Sequence, residues 1–441
     1  MPAVSASEGG IALPAAGQAT AERVAQWLSE TPLWMQRAYR GLIHGLSVLA
    51  WAKKRQPLHA LSDEQVCSLC EELHQKDFAL RSLLRLLITP LKLAYFDDPG
   101  LYQRFGAPYR SMIKVEESPR PVAPTDLPRP ARERTQHASE LPPSEVLECD
   151  VVVIGSGAGG AVATYELAAA GHAVILLEEG EFFSRSDFAG TAFQQQRLLY
   201  RHGGQTVALG NAFIPIPIGR AVGGTTVINS GTCYRMPSRV YKEWREQHGL
   251  HDFTPESLAE HYERVEQVLG VTPAASHLLG AGAQAVARGC DALGYEHAPL
   301  RRNAPDCDGQ GVCCFGCPTD AKRSTNVSFV PMALQAGASL ITGAHAEHLL
   351  LEGGRVVGVT AAAQPGAGRR FTVRARAVIV ACGALMTPVF LLGDAAARRA
   401  LRGSRMLGEN LTIHPTSHVV ALHREPVRAF SSIPQGYAIE E

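Results

Sequence analysis

The spacing of apolar residues changes along the chain, and the changes divide it. Between residues 19 and 115 they recur at three and four. Leu42, Ile43, Leu46, Leu49 and Ala50 mark one face of a helix closing on Lys53, Lys54 and Arg55, whose charge suits a helix C-terminus. Ser62 and Gln65 form a capping box that opens a second helix carrying Val66, Leu69 and Leu73. A third run, FALRSLLRLLITPLKLAYF, has helical period and is expected to break at Pro90. Residues 1–18 are small and polar with no period, which predicts a disordered tail. Seven prolines between Glu116 and Leu147 predict a linker or surface strap over 116–147 rather than a folded core.

From residue 148 the pattern becomes that of an α/β domain. VVVIGSGAGG, Val151 to Gly160, is an apolar strand running into a glycine-rich turn; the helical run AVATYELAAAG and a second strand, HAVILLEEG, follow. In that setting Gly155, Gly157 and Gly160 form a dinucleotide fingerprint: a tight turn, a close approach of backbone to pyrophosphate, and close packing of helix on strand. The helix N-terminus adds free N–H groups and partial positive charge. Glu178, eighteen residues past Gly160, stands where a carboxylate accepts from a ribose 2′-OH, which argues against NADP. PESLAEHYERVEQVLG, residues 255–270, predicts a helix with Leu258, Tyr262, Val265 and Leu269 on one face. Five short β runs follow: SLIT, AEHLLLE, RVVGVTAAA, RFTVRA and AVIVACGA. No internal repeat is present.

Length and charge limit the functional classes. At 441 residues the chain suggests about three domains. Its 42 basic and 42 acidic residues cancel, so no global field favours nucleic acid. There is no basic and apolar leader at the N-terminus and no run of 18 apolar residues, so a cytoplasmic protein is expected. The N-terminal helices are basic and amphipathic. They suit packing on a neighbouring domain, with peripheral contact at a membrane surface as the alternative.

A second glycine motif, GRAVGGTTVINSG, spans Gly219 to Gly231, where Gly223-Gly224 beside Thr225-Thr226 offer a flexible, donor-rich backbone. The two motifs in this order resemble the glucose-methanol-choline (GMC) family of FAD-dependent oxidoreductases. The family's first signature matches Gly219 to Asn229. Its second fits in part at Gly383, Ala384, Thr387 and Pro388, with Gly393-Asp394 in place of Ser-Gly, and LGENLTIHP, Leu407 to Pro415, fits a segment beside the flavin. The resemblance covers residues from about Cys149 onward. It implies a Rossmann-like FAD-binding domain in pieces: a first part at 148–246, a cap or substrate-side insertion with a cysteine-rich loop at 247–336, and at 337–441 the continued FAD domain with the start of a truncated substrate domain. The helical region and CDGQGVCCFGCPTDAKRSTNVSFVP look like the long-chain fatty alcohol oxidase branch. By the resemblance, Gly155, Gly157, Gly160 and Glu178 hold the ADP half of FAD. Arg220, Gly223, Gly224, Thr225 and Asn229 line the isoalloxazine and pyrophosphate, Ala346 offers backbone to adenine, and Gly383 and His414 also belong to the cofactor site. Some members attach FAD through a histidine just before the asparagine; Ile228 stands there, so the FAD is expected to be non-covalent.

The implied reaction is oxidation of an alcohol, for this branch a long-chain primary alcohol, with hydride passing to flavin N5 and a base taking the hydroxyl proton. The electron acceptor is not specified. Two alternatives stand: a non-catalytic FAD-binding protein, and a flavin/iron–sulfur electron-transfer subunit acting on a sterol or sugar. Four of ten cysteines, Cys307, Cys313, Cys314 and Cys317, lie within eleven residues. They fit loop packing or a disulfide, and alternatively an iron–sulfur cluster or zinc held by Cys307, Cys317 and one of the adjacent pair. Cys67 and Cys70 read as core packing. The family's catalytic histidine is expected beyond residue 441, since His414 matches a binding segment and His418 sits in an apolar run. A chain that is the N-terminal part of a longer enzyme, inactive alone, is the expectation.

Overall fold

The computed structural model describes residues 13–75, 78–106, 133–210, 213–363, 369–404, 406–414, 416, 417, 419–424, 427, 428 and 432–440. Two compact units divide the chain, Met1–Lys114 with Ala189–Ile218, and Val115–Phe188 with Gly219–Glu441. The segment Ala189–Ile218, expected in the nucleotide-binding part, therefore packs with the N-terminal helices.

The first unit is built from α1 (Gln18–Ser29), α2 (Leu33–Lys54), α3 (Asp63–Gln75), α4 (Phe78–Phe96), α5 (Pro99–Phe105) and the helix Ala192–Leu199. The capping box forms as expected: Ser62 N–H donates to Gln65 Oε1 at 2.9 Å, and Gln65 N–H donates to Ser62 Oγ at 3.3 Å. Trp27 is buried edge-on to Tyr39, ring centroids 6.0 Å apart, in a core with Val24, Leu87, Ala94 and Phe193. A second cluster joins Ala50, Leu69, Leu73 and Leu84, with Cys70 against it; Cys67 is exposed and does not pack as expected.

Two expectations for this region are corrected. Helix α4 continues through Pro90. The proline removes one backbone donor, but Leu87, Pro90 and Ala94 lie on the buried face, so core packing holds the helix together across it. The predicted tail ends earlier than residue 18, because Tyr95 Oη donates to Pro14 O at 2.6 Å. Residues 1–12 of that tail lie outside the described residues.

The second unit centres on a seven-stranded sheet. Its strands are β1 (Thr135–His137), β2 (Val146–Ile154), β3 (Val174–Leu177), β4 (Ser339–Thr342), β5 (His345–Glu352), β6 (Arg355–Ala362) and β7 (Arg370–Val380), in the order β1-β4-β3-β2-β7-β6-β5. The first four pairings across that order are parallel. The last two are antiparallel, so β5, β6 and β7 form a meander. RFTVRA and AVIV, expected as separate runs, are one strand, β7. The end of the proline-rich stretch is also folded: β1 is an edge strand, and Ala138 and Leu141 behind it are buried. The rest of that linker, up to residue 132, lies outside the described residues.

Burial on both faces explains the continuous apolar runs of β2 and β3. Val151, Val153, Val174 and Leu176 enter one core with α6 (Ala158–Ala169) and the helix Phe329–Gln335. Val152, Ile154, Ile175 and Leu177 enter the other with Ile341, Val359 and Phe371. The segment Phe329–Gln335, expected in the cap, thus belongs to the sheet core. The predicted helix at Pro255–Leu269 forms, but its apolar face is only partly covered and Val265 is exposed. Among the described residues no helix is long and apolar enough to cross a membrane.

Removing the largest buried side chain of the helical unit isolates that core's contribution. Trp27→Ala should destabilise the unit by about 3–5 kcal/mol, read as a shift in its urea unfolding midpoint.

Candidate functional site

The carboxyl end of β2 is where the chain turns to β3 on one side and β7 lies on the other, the place where open parallel sheets bind ligands. Here Gly155 has φ +101°, and a Cβ on it would come within 2.5 Å of Ala381 O at the end of β7. A Cβ on Gly160 would sit 1.8 Å from Gly155 O. Both glycines are required by the chain's own packing. Gly157 is different: its φ is −67°, and a Cβ there would meet no atom within 4 Å. No packing contact among the described residues demands a glycine at 157, and the space it leaves open lies at the N-cap of α6.

The second glycine motif folds against the first. Gly223 has φ +101° and donates its N–H to Ser156 Oγ at 2.9 Å. A Cβ on Gly224 would lie 3.2 Å from Gly157 Cα. Val222 N–H donates to Glu181 O at 2.9 Å, tying the motif to the end of β3. Thr325 closes the arrangement: its hydroxyl lies 2.9 Å from Ser156 O and 3.3 Å from Gly223 O. Its N–H donates to Thr226 Oγ1 at 3.0 Å.

Glu178 stands behind this turn and faces inward. Its Oε2 accepts from Ser156 N–H at 3.0 Å and Ser156 Oγ–H at 2.6 Å, and its Oε1 accepts from Gly180 N–H at 2.9 Å. Burial pushes this carboxyl above the usual range, while the hydrogen bonds from Ser156 and Gly180 pull it back. With about four lone-pair directions on a carboxylate, three are already used. Glu178 is therefore first a brace for the glycine turn, a role its position in the sequence did not reveal. Glu179, the next residue, pairs with Arg220 at 3.4 Å and with His345 at 3.7 Å.

The remaining expected residues fall as follows. Thr225 and Asn229 are exposed on the second motif, and Ile228 is buried. Ala346 lies in β5, two residues past Ala344, whose N–H donates to Glu178 O at 2.8 Å. Gly383, with φ +81°, follows Ala381 and Cys382 across the first turn; Ala381 N–H donates to Ile154 O at 2.8 Å. Asp394, in place of the expected glycine, is buried and accepts from Ala397 N–H at 2.7 Å as a helix cap. His414 is exposed in an irregular stretch, and no hydrogen bond or ion pair among the described residues joins it to either glycine turn. His418 lies outside the described residues.

The alternative reading of Cys307, Cys313, Cys314 and Cys317 as metal ligands finds no support. Among the described residues no three His, Cys, Asp or Glu side chains gather as a metal site, and the ten cysteines form no disulfide. The thiols are dispersed onto backbone and cations. Cys307 Sγ accepts from Gly309 N–H at 3.4 Å, Cys317 Sγ from Lys322 N–H at 3.4 Å, and Cys313 Sγ from Arg302 Nη2–H at 3.0 Å. At the loop's centre is the Lys322 ammonium, bonded to Val227 O, Asn229 O and Cys313 O at 2.6–2.7 Å. Burial brings Lys322 down to about 8, while its three carbonyl acceptors match the three N–H donors of an ammonium. Sequence reasoning missed Ser156, Arg302, Lys322 and Thr325; the one available signal was a lysine five residues past Cys317.

Comparison with known proteins agrees with this geometry. Residues 196–416 match the family model for GMC oxidoreductase, and residues 150–194 match an FAD binding domain. An uncharacterized GMC-type oxidoreductase of Mycobacterium tuberculosis is 39% identical over 317 residues, covering 72% of this chain and 49% of the relative. Another from Sinorhizobium fredii is 38% identical over 293 residues, 65% and 55% of the two chains. A long-chain-alcohol oxidase of Arabidopsis thaliana is 32% identical over 280 residues, 61% and 36%. The chain spans about half the length of the two bacterial relatives. With the family model covering half of its residues, on the fold and glycine turns described above, the chain belongs to the GMC oxidoreductase family.

Proposed function

We propose that this chain binds FAD without a covalent bond and supplies the cofactor site of an enzyme oxidising an apolar primary alcohol. The observation that carries the reading is Gly157. Its φ is negative and a Cβ on it would meet no described atom within 4 Å, yet it carries no side chain at the N-cap of α6, with Gly224 beside it. A pyrophosphate approaching that helix end requires this absence of a Cβ. Gly155, Gly157 and Gly160 would hold the ADP half of the cofactor, and Gly223, Gly224, Thr225 and Asn229 would face its flavin half. Ile228, buried at 5% exposure, offers no nucleophile for a covalent link, which supports non-covalent binding. When bound, FAD supplies hydride acceptance from an alcohol carbon. The residues of this chain bind and orient it, and Glu178 keeps the turn closed from behind. The preference for a long-chain primary alcohol over a sterol or sugar rests on the helical N-terminal region and on similarity to the Arabidopsis long-chain-alcohol oxidase.

Two substitutions separate binding from folding. Gly157→Ala should cost no more than about 1 kcal/mol of stability, the preference for glycine over alanine at an N-cap, while weakening FAD binding about tenfold or more. Gly160→Ala should destabilise the second unit by about 3 kcal/mol or more, because its Cβ has no room. FAD fluorescence quenching and urea unfolding measure the pair. A Gly157→Ala protein that binds FAD like the parent would refute the site.

Removal of the Glu178 carboxylate tests the brace. Glu178→Ala should lower FAD affinity about 10- to 100-fold through loss of charge-assisted hydrogen bonds to the turn. Flavin released into solution by acid precipitation confirms non-covalent attachment; flavin retained in the pellet contradicts it. Substrate class is read on the full-length Mycobacterium tuberculosis relative, where faster oxidation of dodecanol than of glucose is expected and the reverse order would overturn the alcohol assignment.

A further inference from the structure

Two cations sit deep in the second unit without a carboxylate partner among the described residues. Arg302 is 2% exposed and Lys322 1%. Unpaired burial of charge is costly unless dipoles replace the lost water. Here backbone carbonyls do so: three come from one segment, and Pro434 O also accepts from Arg302 Nη1 at 3.0 Å. Lys322 Nζ donates to Val227 O and Asn229 O at 2.7 Å, and Arg302 Nη2 donates to Ser230 O at 2.5 Å. The two cations meet again on Cys313, Lys322 at its carbonyl and Arg302 at its thiol. Three of four successive carbonyls after the Gly223-Gly224 turn are thus drawn inward, while the side chains of Thr225 and Asn229 remain exposed.

We propose that Lys322 and Arg302 form a buried cation clamp that positions the Val227–Ser230 segment and raises the electrostatic potential on its outer side, favouring the negative charge a flavin gains on reduction. The cysteine-rich loop serves this clamp as a frame around the ammonium. The positioning part stands on geometry alone; the effect on flavin reduction rests on the FAD reading above. At close range, in a medium of low polarity, a full charge outweighs the dipoles around it, so loss of one cation should be visible in the reduction equilibrium.

The test uses the full chain, with Lys322→Met to remove the charge at similar length and Lys322→Arg to retain it. Without FAD, amide hydrogen exchange of residues 225–231 should speed up tenfold or more in Lys322→Met, while the amides of Val152 and Val153 in the central strand stay unchanged. With FAD bound, the oxidised-to-reduced ratio at a fixed potential should rise tenfold or more, equivalent to about 30 mV more negative for a two-electron couple. Lys322→Arg should recover most of the potential shift. Unchanged exchange in Lys322→Met overturns the positioning role, and unchanged potential with FAD bound overturns the electrostatic one. If Lys322→Met does not fold, Arg302→Met is measured in the same way. The parent alone also decides the electrostatic role: its bound FAD must be easier to reduce than free FAD, and an equal or lower potential refutes it. A parent that binds no FAD refutes the cofactor reading, and the exchange measurement still tests the clamp.

Discussion

One buried hydroxyl, that of Ser156, organises the two glycine turns of the candidate site. It donates to the Glu178 carboxylate and accepts from Gly223 N–H, while the carbonyl of the same residue faces the Thr325 hydroxyl. Both glycine turns are therefore set by a residue between the two glycines that define the first one. A hydroxyl is suited to this position because it can donate and accept at once within the space of one oxygen. Glu178 supplies the charge that makes the node strong, and burial makes that charge expensive to leave unbonded. The turn and its brace stabilise each other.

The other side of the second glycine motif is held by opposite charge. Lys322 and Arg302 donate to its carbonyls, whereas Ser156 accepts from its N–H at Gly223. A segment rich in glycine has high conformational entropy to lose, and fixing it requires contacts that its own side chains cannot provide. The protein provides them from three stretches, the turn after β2, the short strand Arg301–Arg302 and the cysteine-rich loop with Lys322 behind it.

Much of this was legible in the chain because the constraints are local. Gly155 and Gly160 are steric necessities of a strand–turn–helix unit, and continuous apolar runs in β2 and β3 announce burial on both faces. The capping box at Ser62 and Gln65 is readable for the same reason. What stayed hidden depends on long-range partners. Thr325 meets Ser156 across 169 positions, and no spacing rule links them. The cysteine cluster was open to a metal reading because thiol spacing says nothing about an intruding lysine. Pro90 looked like a helix end because its local cost is visible and the packing that offsets it is not. The strand at Thr135–His137 was masked by the prolines preceding it, since composition over a window outweighs three residues of edge pairing.

The parallel pairing of β2 with β7 also constrains the order in which the molecule can be made. Val151 to Ile154 pair with Ala377 to Val380, so the central strand lacks its neighbour on one side until the chain has been extended by more than 200 residues. At ribosomal rates of about 5–20 residues per second, that interval is on the order of 10–45 s. Throughout it, an apolar strand with an open row of backbone donors and acceptors must be kept from pairing with other chains. The feature that places the glycine turn at the heart of the finished sheet is thus also the nascent protein's longest exposure to misassembly. Cellular yield should depend more on protection during synthesis than on the stability of the folded state.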